Sequence, residues 1–103
     1  MLTATLYQPH YPPRTVPTDG LVLPNPQTGF AAVTEHVSAL LECGQGMVDV
    51  LASGPAYVVY TVFDCEGPVN EEAMMAVTAV SKVKFELTDE DSVQCGPVLI
   101  VQQ

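Results

Sequence analysis

The sequence predicts a mainly β protein, a small antiparallel sandwich or barrel preceded by an extended proline-rich N-terminal arm. Six of the chain's nine prolines lie in its first 29 residues. Residues 56–63 are almost all β-branched or aromatic, and apolar residues recur at every second position over 77–87. These three observations divide the chain into an arm of residues 1–29 and a compact β-rich domain of residues 30–103.

Proline determines the backbone conformation expected for the N-terminal arm. It fixes φ, has no amide donor and favours extended geometry in the residue before it. Such a stretch is expected to form neither a helix nor a central strand. Residues 2–7 alternate weakly, and we predict that they add to a partner's sheet as an edge strand.

The arm also carries apolar side chains that a solvated linker would lack. We predict that these side chains bind another chain. The predicted partner-binding residues are Leu2, Leu6, Tyr7, Pro9, Tyr11 and Leu21. The alternative is that they fold back over their own domain as a covering flap. If the arm only binds, a chain without residues 1–29 stays folded and loses its attachment.

The compact domain starts after a turn at residues 25–29. Its first segment, from Phe30 to Cys43, fits either one short helix or a strand, because its apolar residues satisfy both periods. Residues 47–51 are predicted as a short strand closed by a turn at 52–55. Residues 56–63 are predicted as a central strand, since β-branched and aromatic residues favour sheets.

The last third of the chain is predicted to combine a helical turn with two strands. The Asn-Glu-Glu sequence at 70–72 suits the start of a brief helical turn, where acidic side chains are favoured. The alternation over 77–87 predicts a long strand with one solvent-facing side. Residues 88–92 are predicted as an acidic turn, and 97–101 as a final strand that begins at a proline.

The charge of the chain excludes several classes of partner. The net charge is −9, from twelve acidic residues against Arg14, Lys82 and Lys84. Nucleic acids and anionic membranes are bound by clustered cations, so neither is an expected partner. The chain has no apolar run of the roughly 18 residues that a membrane span needs. Its first residues lack the basic start and apolar core of a secretory signal, so we expect a protein made in a cytoplasm.

Charged residues make up only 15% of the chain, so much of the surface must be uncharged. In a small protein such surface is often covered by a neighbouring subunit. We therefore expect a homo-oligomer.

Motifs for catalysis and for cofactors are missing, and we predict a protein that is not an enzyme and binds no cofactor or metal. On a helix, His36 and Cys43 would lie about 10 Å apart, too far for direct proton transfer. The acidic run at 89–91 lacks the alternating ligands and the glycine of a calcium loop, which favours a solvated turn.

The three cysteines, Cys43, Cys65 and Cys95, form no Cys-x-x-Cys pair. We predict reduced, mostly buried thiols that pack as small apolar groups. A bridge between Cys65 and Cys95 remains open, because both flank predicted strands.

A 103-residue chain with a proline-rich N-terminal arm and a small acidic, β-rich body resembles the head decoration, or cement, proteins of tailed bacteriophages. The lambdoid members have an early Tyr-Gln-Pro in their arm, and Tyr7-Gln8-Pro9 occupies a similar place here. The resemblance implies a structural virion protein on the capsid exterior. Such a protein would bind the major capsid protein lattice as a homotrimer and stabilise the head.

A small enzyme that uses Cys43 or Cys65 is one alternative to capsid decoration, and thiol alkylation with retained activity would exclude it. Two further readings of the sequence also compete. One is another phage structural component, a head-tail connector or a tail protein, which ring symmetry would distinguish from a trimer. The other is an acidic inhibitor that mimics nucleic acid, favoured by the charge of −9. Binding by such a mimic should weaken steeply with salt.

Overall fold

The chain folds around one antiparallel sheet in the computed structural model, which describes residues 2–9, 11–25, 27–62, 70–81 and 96–103. The described strands are β1 (Thr3–Tyr7), β2 (Arg14–Val16), β3 (Val48–Gly54), β4 (Tyr57–Val62) and β5 (Val98–Gln102). They form a five-stranded sheet in the order β2-β1-β5-β4-β3, and every neighbouring pair is antiparallel. The helices are α1 (Glu35–Leu41) and α2 (Glu71–Ser81), with a 3-10 turn at Gln45–Met47. The predicted antiparallel, mainly β class is confirmed.

The sheet has two buried faces, each covered by a helical segment. Side chains alternate along a strand, so β4 directs Val58 and Tyr60 to one face and Val59 to the other. The α1 face, which packs against α1 and the segment 17–34, holds Ala4, Leu6, Val16, Val58, Tyr60, Leu99 and Val101. The α2 face, which packs against α2, holds Tyr7, Val59, Val98 and Ile100.

Strand β1 lies inside the sheet, between β2 and β5. Ala4 pairs with Val16 on one side and with Val101 on the other. Together with Leu6 and Leu21, these residues belong to the core on the α1 face. The first strand of the sheet therefore comes from the segment that the prolines marked as an arm.

The positions of the prolines explain this difference. Strand β1 contains none, since the first proline of the chain is Pro9. Pro12, Pro13 and Pro17 lie beside β2, which is an edge strand of the described sheet. A missing amide donor is tolerated there, and prolines also discourage pairing with foreign strands. Proline therefore limits β2 to three residues and leaves β1 unaffected.

Helix α2 replaces the first part of the long strand predicted over 77–87. The helical turn expected at 70–72 continues to Ser81, and its buried residues Ala73, Met74 and Val77 follow a helical spacing. The alternation seen from Val77 onward is therefore not a strand pattern in its described part. Residues 82–87 lie outside the described residues.

Other segments match the sequence predictions more closely. Strands β4 and β5 fall on the predicted 56–63 and 97–101 within one residue at each end. The segment from Phe30 to Cys43 contains the helix α1, which buries Val37 and Leu41. Strand β3 runs to Gly54, so the turn that was predicted at 52–55 starts later.

Several predicted features lie outside the described residues. They are the acidic turn at 88–92, Lys82, Lys84, Cys65 and Cys95.

Tyr60 links the sheet to the segment that covers the α1 face. Its side chain is 1% exposed, and its hydroxyl donates a hydrogen bond to the carbonyl oxygen of Ala32 at 2.7 Å. Burial raises the pKa of Tyr60 above its ordinary value. The fold therefore favours the protonated phenol, which alone can donate this bond.

We predict that stability falls at alkaline pH through Tyr60. The stabilisation is complete below the unfolded-state pKa of about 10, and it is lost as pH rises through the higher folded-state pKa. Tyr60→Phe should cost about 1 kcal/mol at neutral pH, the usual contribution of one hydrogen bond. Urea unfolding from about pH 9 to about pH 11 should then show a smaller alkaline loss in the variant. An equal loss in both proteins would contradict this role.

Candidate functional site

A wide concavity opens between the loop that joins β1 to β2 and the start of α2. We call it the hairpin groove; its volume is about 650 Å³, and its lining residues are Gln8, Pro9, Tyr11, Pro12, Asn70, Glu71 and Glu72. A smaller pocket of about 220 Å³ lies between Pro24 and the β3–β4 turn. The hairpin groove is the candidate site because it combines aromatic, proline and carboxylate groups.

The loop side of the groove is a short turn between two paired strands. The amide of Tyr11 donates to the carbonyl oxygen of Gln8 at 3.1 Å, which closes the turn. Pro9, Pro12 and Pro13 restrict the backbone around it. Tyr11 is 68% exposed, so its ring is presented to solvent by a backbone with little freedom to lose.

Asn70 holds the two sides of the groove together. Its side-chain amide donates to the carbonyl oxygens of Tyr7 at 3.0 Å and Gly96 at 2.8 Å. Its side-chain oxygen accepts a hydrogen bond from the amide of Ala73 at 3.3 Å, which caps α2. One buried side chain thereby joins the end of β1, Gly96 just before β5 and the first turn of α2.

The groove is electrostatically negative on its helix side. Glu71 and Glu72 occupy the first turn of α2, where the helix dipole favours acidic groups, and both are exposed. Burial raises the pKa of Tyr7 above its usual value, and the carboxylate of Glu72 raises it further. The field of Glu72 therefore reaches the tyrosine at the end of β1.

The six predicted partner-binding residues separate into two groups. Pro9 and Tyr11 line the groove, and Tyr7 lies partly buried at its end of β1. Leu6 and Leu21 are buried in the core on the α1 face, with Leu2 packed against it. These three leucines therefore pack within their own chain.

Sequence reasoning missed most of the groove. It recognised 70–72 as a helix start, but nothing in the sequence places that start beside residues 8–12. The two segments meet because β1 pairs with β5 and Asn70 bonds to both strand ends. A buried asparagine with two donors is recognisable only after the fold is known.

The described residues bring together no metal-binding set. No group of three or more His, Cys, Asp or Glu side chains in the described ranges is arranged to hold a metal. Helix α1 ends at Leu41, so Cys43 lies outside it and packs against the core. His36 instead packs beside Gly20, whose φ is +78° and whose missing Cβ leaves room for the ring.

Comparisons with family models, with curated proteins and with solved structures found no match for this chain. Neither helix in the described part has the length and apolar character to cross a membrane.

Proposed function

We propose that this chain is a structural virion protein, a capsid decoration protein that binds the major capsid protein lattice and stabilises the head from outside. One observation carries the proposal beyond the resemblance at Tyr7-Gln8-Pro9. Of the five exposed large hydrophobic side chains in the described residues, Tyr11, Val22 and Phe30 lie in the first 30 residues. The N-terminal segment thus contributes two strands to the fold and also concentrates exposed apolar groups.

Phe30 is the best-presented of these side chains. It is 71% exposed at the end of a turn that Asn25 organises. The side-chain oxygen of Asn25 accepts hydrogen bonds from the amides of Gln27 at 2.8 Å and Thr28 at 3.2 Å, and the Asn25 amide donates to the Phe30 carbonyl at 2.9 Å. A large ring on a fixed turn costs little conformational entropy when it enters a partner's pocket.

The protein acts without catalysis, and its partners are the major capsid protein and further copies of itself in a homotrimer. It is made in the host cytoplasm and then joins the capsid exterior. Attachment at many lattice sites stabilises the capsid even when each contact is weak, because linked binding events raise the effective concentration of each contact and so the overall affinity. Neither nucleic acid nor membrane is a partner in this proposal.

The test is co-sedimentation of the full chain with shells assembled from the major capsid protein of the same genome. We expect the protein in the pellet, and we expect Phe30→Ser to weaken binding by about tenfold, as for an aromatic side chain central to an interface. Met47→Ser is the matched control, because Met47 is also exposed and apolar but follows α1. It should bind as the unmodified chain does.

Two results would contradict the proposal. The chain could remain in the supernatant, or the genome could encode no major capsid protein. Equal weakening by the Phe30 and Met47 substitutions would remove the special role of the N-terminal segment. The unfolding midpoints of both variants should match the parent, since exposed substitutions rarely change stability by more than about 0.5 kcal/mol.

A further inference from the structure

The hairpin groove carries negative charge that none of its described lining residues neutralises. Glu71 and Glu72 face it from the start of α2, and its described lining residues include no basic side chain. Arg14 is the one lysine or arginine among the described residues. No described carboxylate forms an ion pair with Arg14.

Arg14 does not reach the groove of its own chain. It is exposed on the edge strand β2, and it pairs with Leu6, which lies on the α1 face. The groove opens on the other side, beside Tyr7 and α2. Because paired residues direct their side chains to the same face of a sheet, Arg14 and the groove lie on opposite faces of one hairpin.

The groove has the chemistry that an arginine side chain requires. Glu71 and Glu72 offer carboxylates to a planar guanidinium, which binds such groups with two parallel hydrogen bonds. The exposed ring of Tyr11 offers a face for stacking, and Pro9 offers an apolar surface for the methylene stem. Asn70 fixes the separation of the two walls before any partner arrives.

We infer that Arg14 of a neighbouring copy of this chain occupies the hairpin groove, pairs with Glu71 and Glu72 and stacks on Tyr11. The inference names the contact between subunits and rests on the self-association in the proposed function. Each copy uses two different patches, so the contact is heterologous. Contacts of this type close into a ring when the rotation between subunits divides a full turn, as in a trimer.

Charge reversal tests the inference on the full chain by sedimentation velocity. Arg14→Glu should raise the dissociation constant of the oligomer about 30-fold, the effect expected when one partner of a hydrogen-bonded charge pair is lost. The double reversal Glu71→Arg with Glu72→Arg should dissociate the oligomer as well. Combining all three substitutions should restore association, because the charges are then exchanged and complementary again.

The matched control is Glu35→Arg with Glu42→Arg, which changes the net charge equally but lies at the first residue and the C-cap of α1, outside the groove lining. It should leave the oligomer intact. Three results would overturn the inference: a monomeric parent protein, an Arg14→Glu variant that associates like the parent, or no recovery in the combined variant. Thermal unfolding of each variant checks that it is folded.

These outcomes are separable from failure of the proposed function. A monomeric parent that still pellets with capsid shells would overturn the inference and leave decoration standing. An oligomer that responds to charge reversal as expected, but never pellets, would support the inference and contradict decoration.

Discussion

Replacement of Asn70 by alanine should destabilise the protein by about 3 kcal/mol, which is large against a typical total of about 5 to 15 kcal/mol. The substitution leaves the carbonyl oxygens of Tyr7 and Gly96 without their donor and removes the cap of α2. Unsatisfied buried groups cost about 1–3 kcal/mol and a lost cap about 1 kcal/mol. Urea unfolding at neutral pH measures the sum.

Asn70→Asp separates the two roles of the side chain. Aspartate is as good a helix cap as asparagine, but its carboxylate cannot donate and would face two carbonyl oxygens. We expect it to be at least as unstable as Asn70→Ala.

The control for Asn70→Asp is the same substitution at Asn25. The described hydrogen bonds of the Asn25 side chain are accepted by its oxygen, from the amides of Gln27 and Thr28, and an aspartate can accept them equally well. Asn25→Asp should change stability by less than about 0.5 kcal/mol. A stable Asn70→Asp variant would show that the donated bonds do not matter.

Removal of residues 1–29 should abolish folding, which is the second large effect. The truncated chain lacks β1 and β2, so β5 loses its five-residue pairing with β1. It also loses the buried side chains of Leu6 and Leu21. Truncating a single buried leucine to alanine costs about 2–5 kcal/mol, so these two alone approach the stability of a small domain.

Circular dichroism and a proton–nitrogen NMR spectrum of the truncated chain measure this effect. We expect an unfolded circular dichroism signal and poorly dispersed amide resonances. The control keeps β1 but replaces two exposed aromatic side chains of the first 30 residues, with Tyr11→Ser and Phe30→Ser together. It should remain folded. A dispersed spectrum and cooperative unfolding from the truncated chain would support a separate arm instead.

The sequence patterns predicted the strands that have a strong local β pattern. Strands β4 and β5 are buried on both faces, so they are continuous runs of β-branched and aliphatic residues, and the pattern is strong. The cap at Asn70 was also recognisable, since asparagine followed by two glutamates is typical of a helix start.

The errors arose where local pattern and distant pairing disagree. Strand β1 is short and only partly apolar, and its place in the sheet depends on β5 at the other end of the chain. No local pattern records that pairing. Helix α2 is rich in alanine and buries one side only, and its weak periodicity was read together with the following residues as a strand.

Only the part of the candidate site that comes from the N-terminal segment was predictable from the sequence. Pro9 and Tyr11 were recognisable as unusual in a linker, and both line the groove. The carboxylates opposite them come from a helix some 60 residues later, as the separation of Asn70 from Tyr7, 63 residues, illustrates. The sequence could not show that the three leucines pack within their own chain, because an apolar side chain gives no indication of whether its own chain or a partner will cover it.

Amide hydrogen exchange on the free, full-length protein tests most directly whether the N-terminal segment belongs to the fold before any partner binds. The account predicts that the amides of β1 exchange slowly, at rates similar to those of β5, because β1 is paired on both sides within the chain. Exchange of residues 3–7 at the rate of an unfolded chain, with β4 and β5 still protected, would contradict it. That result would mean an arm that orders only on a partner.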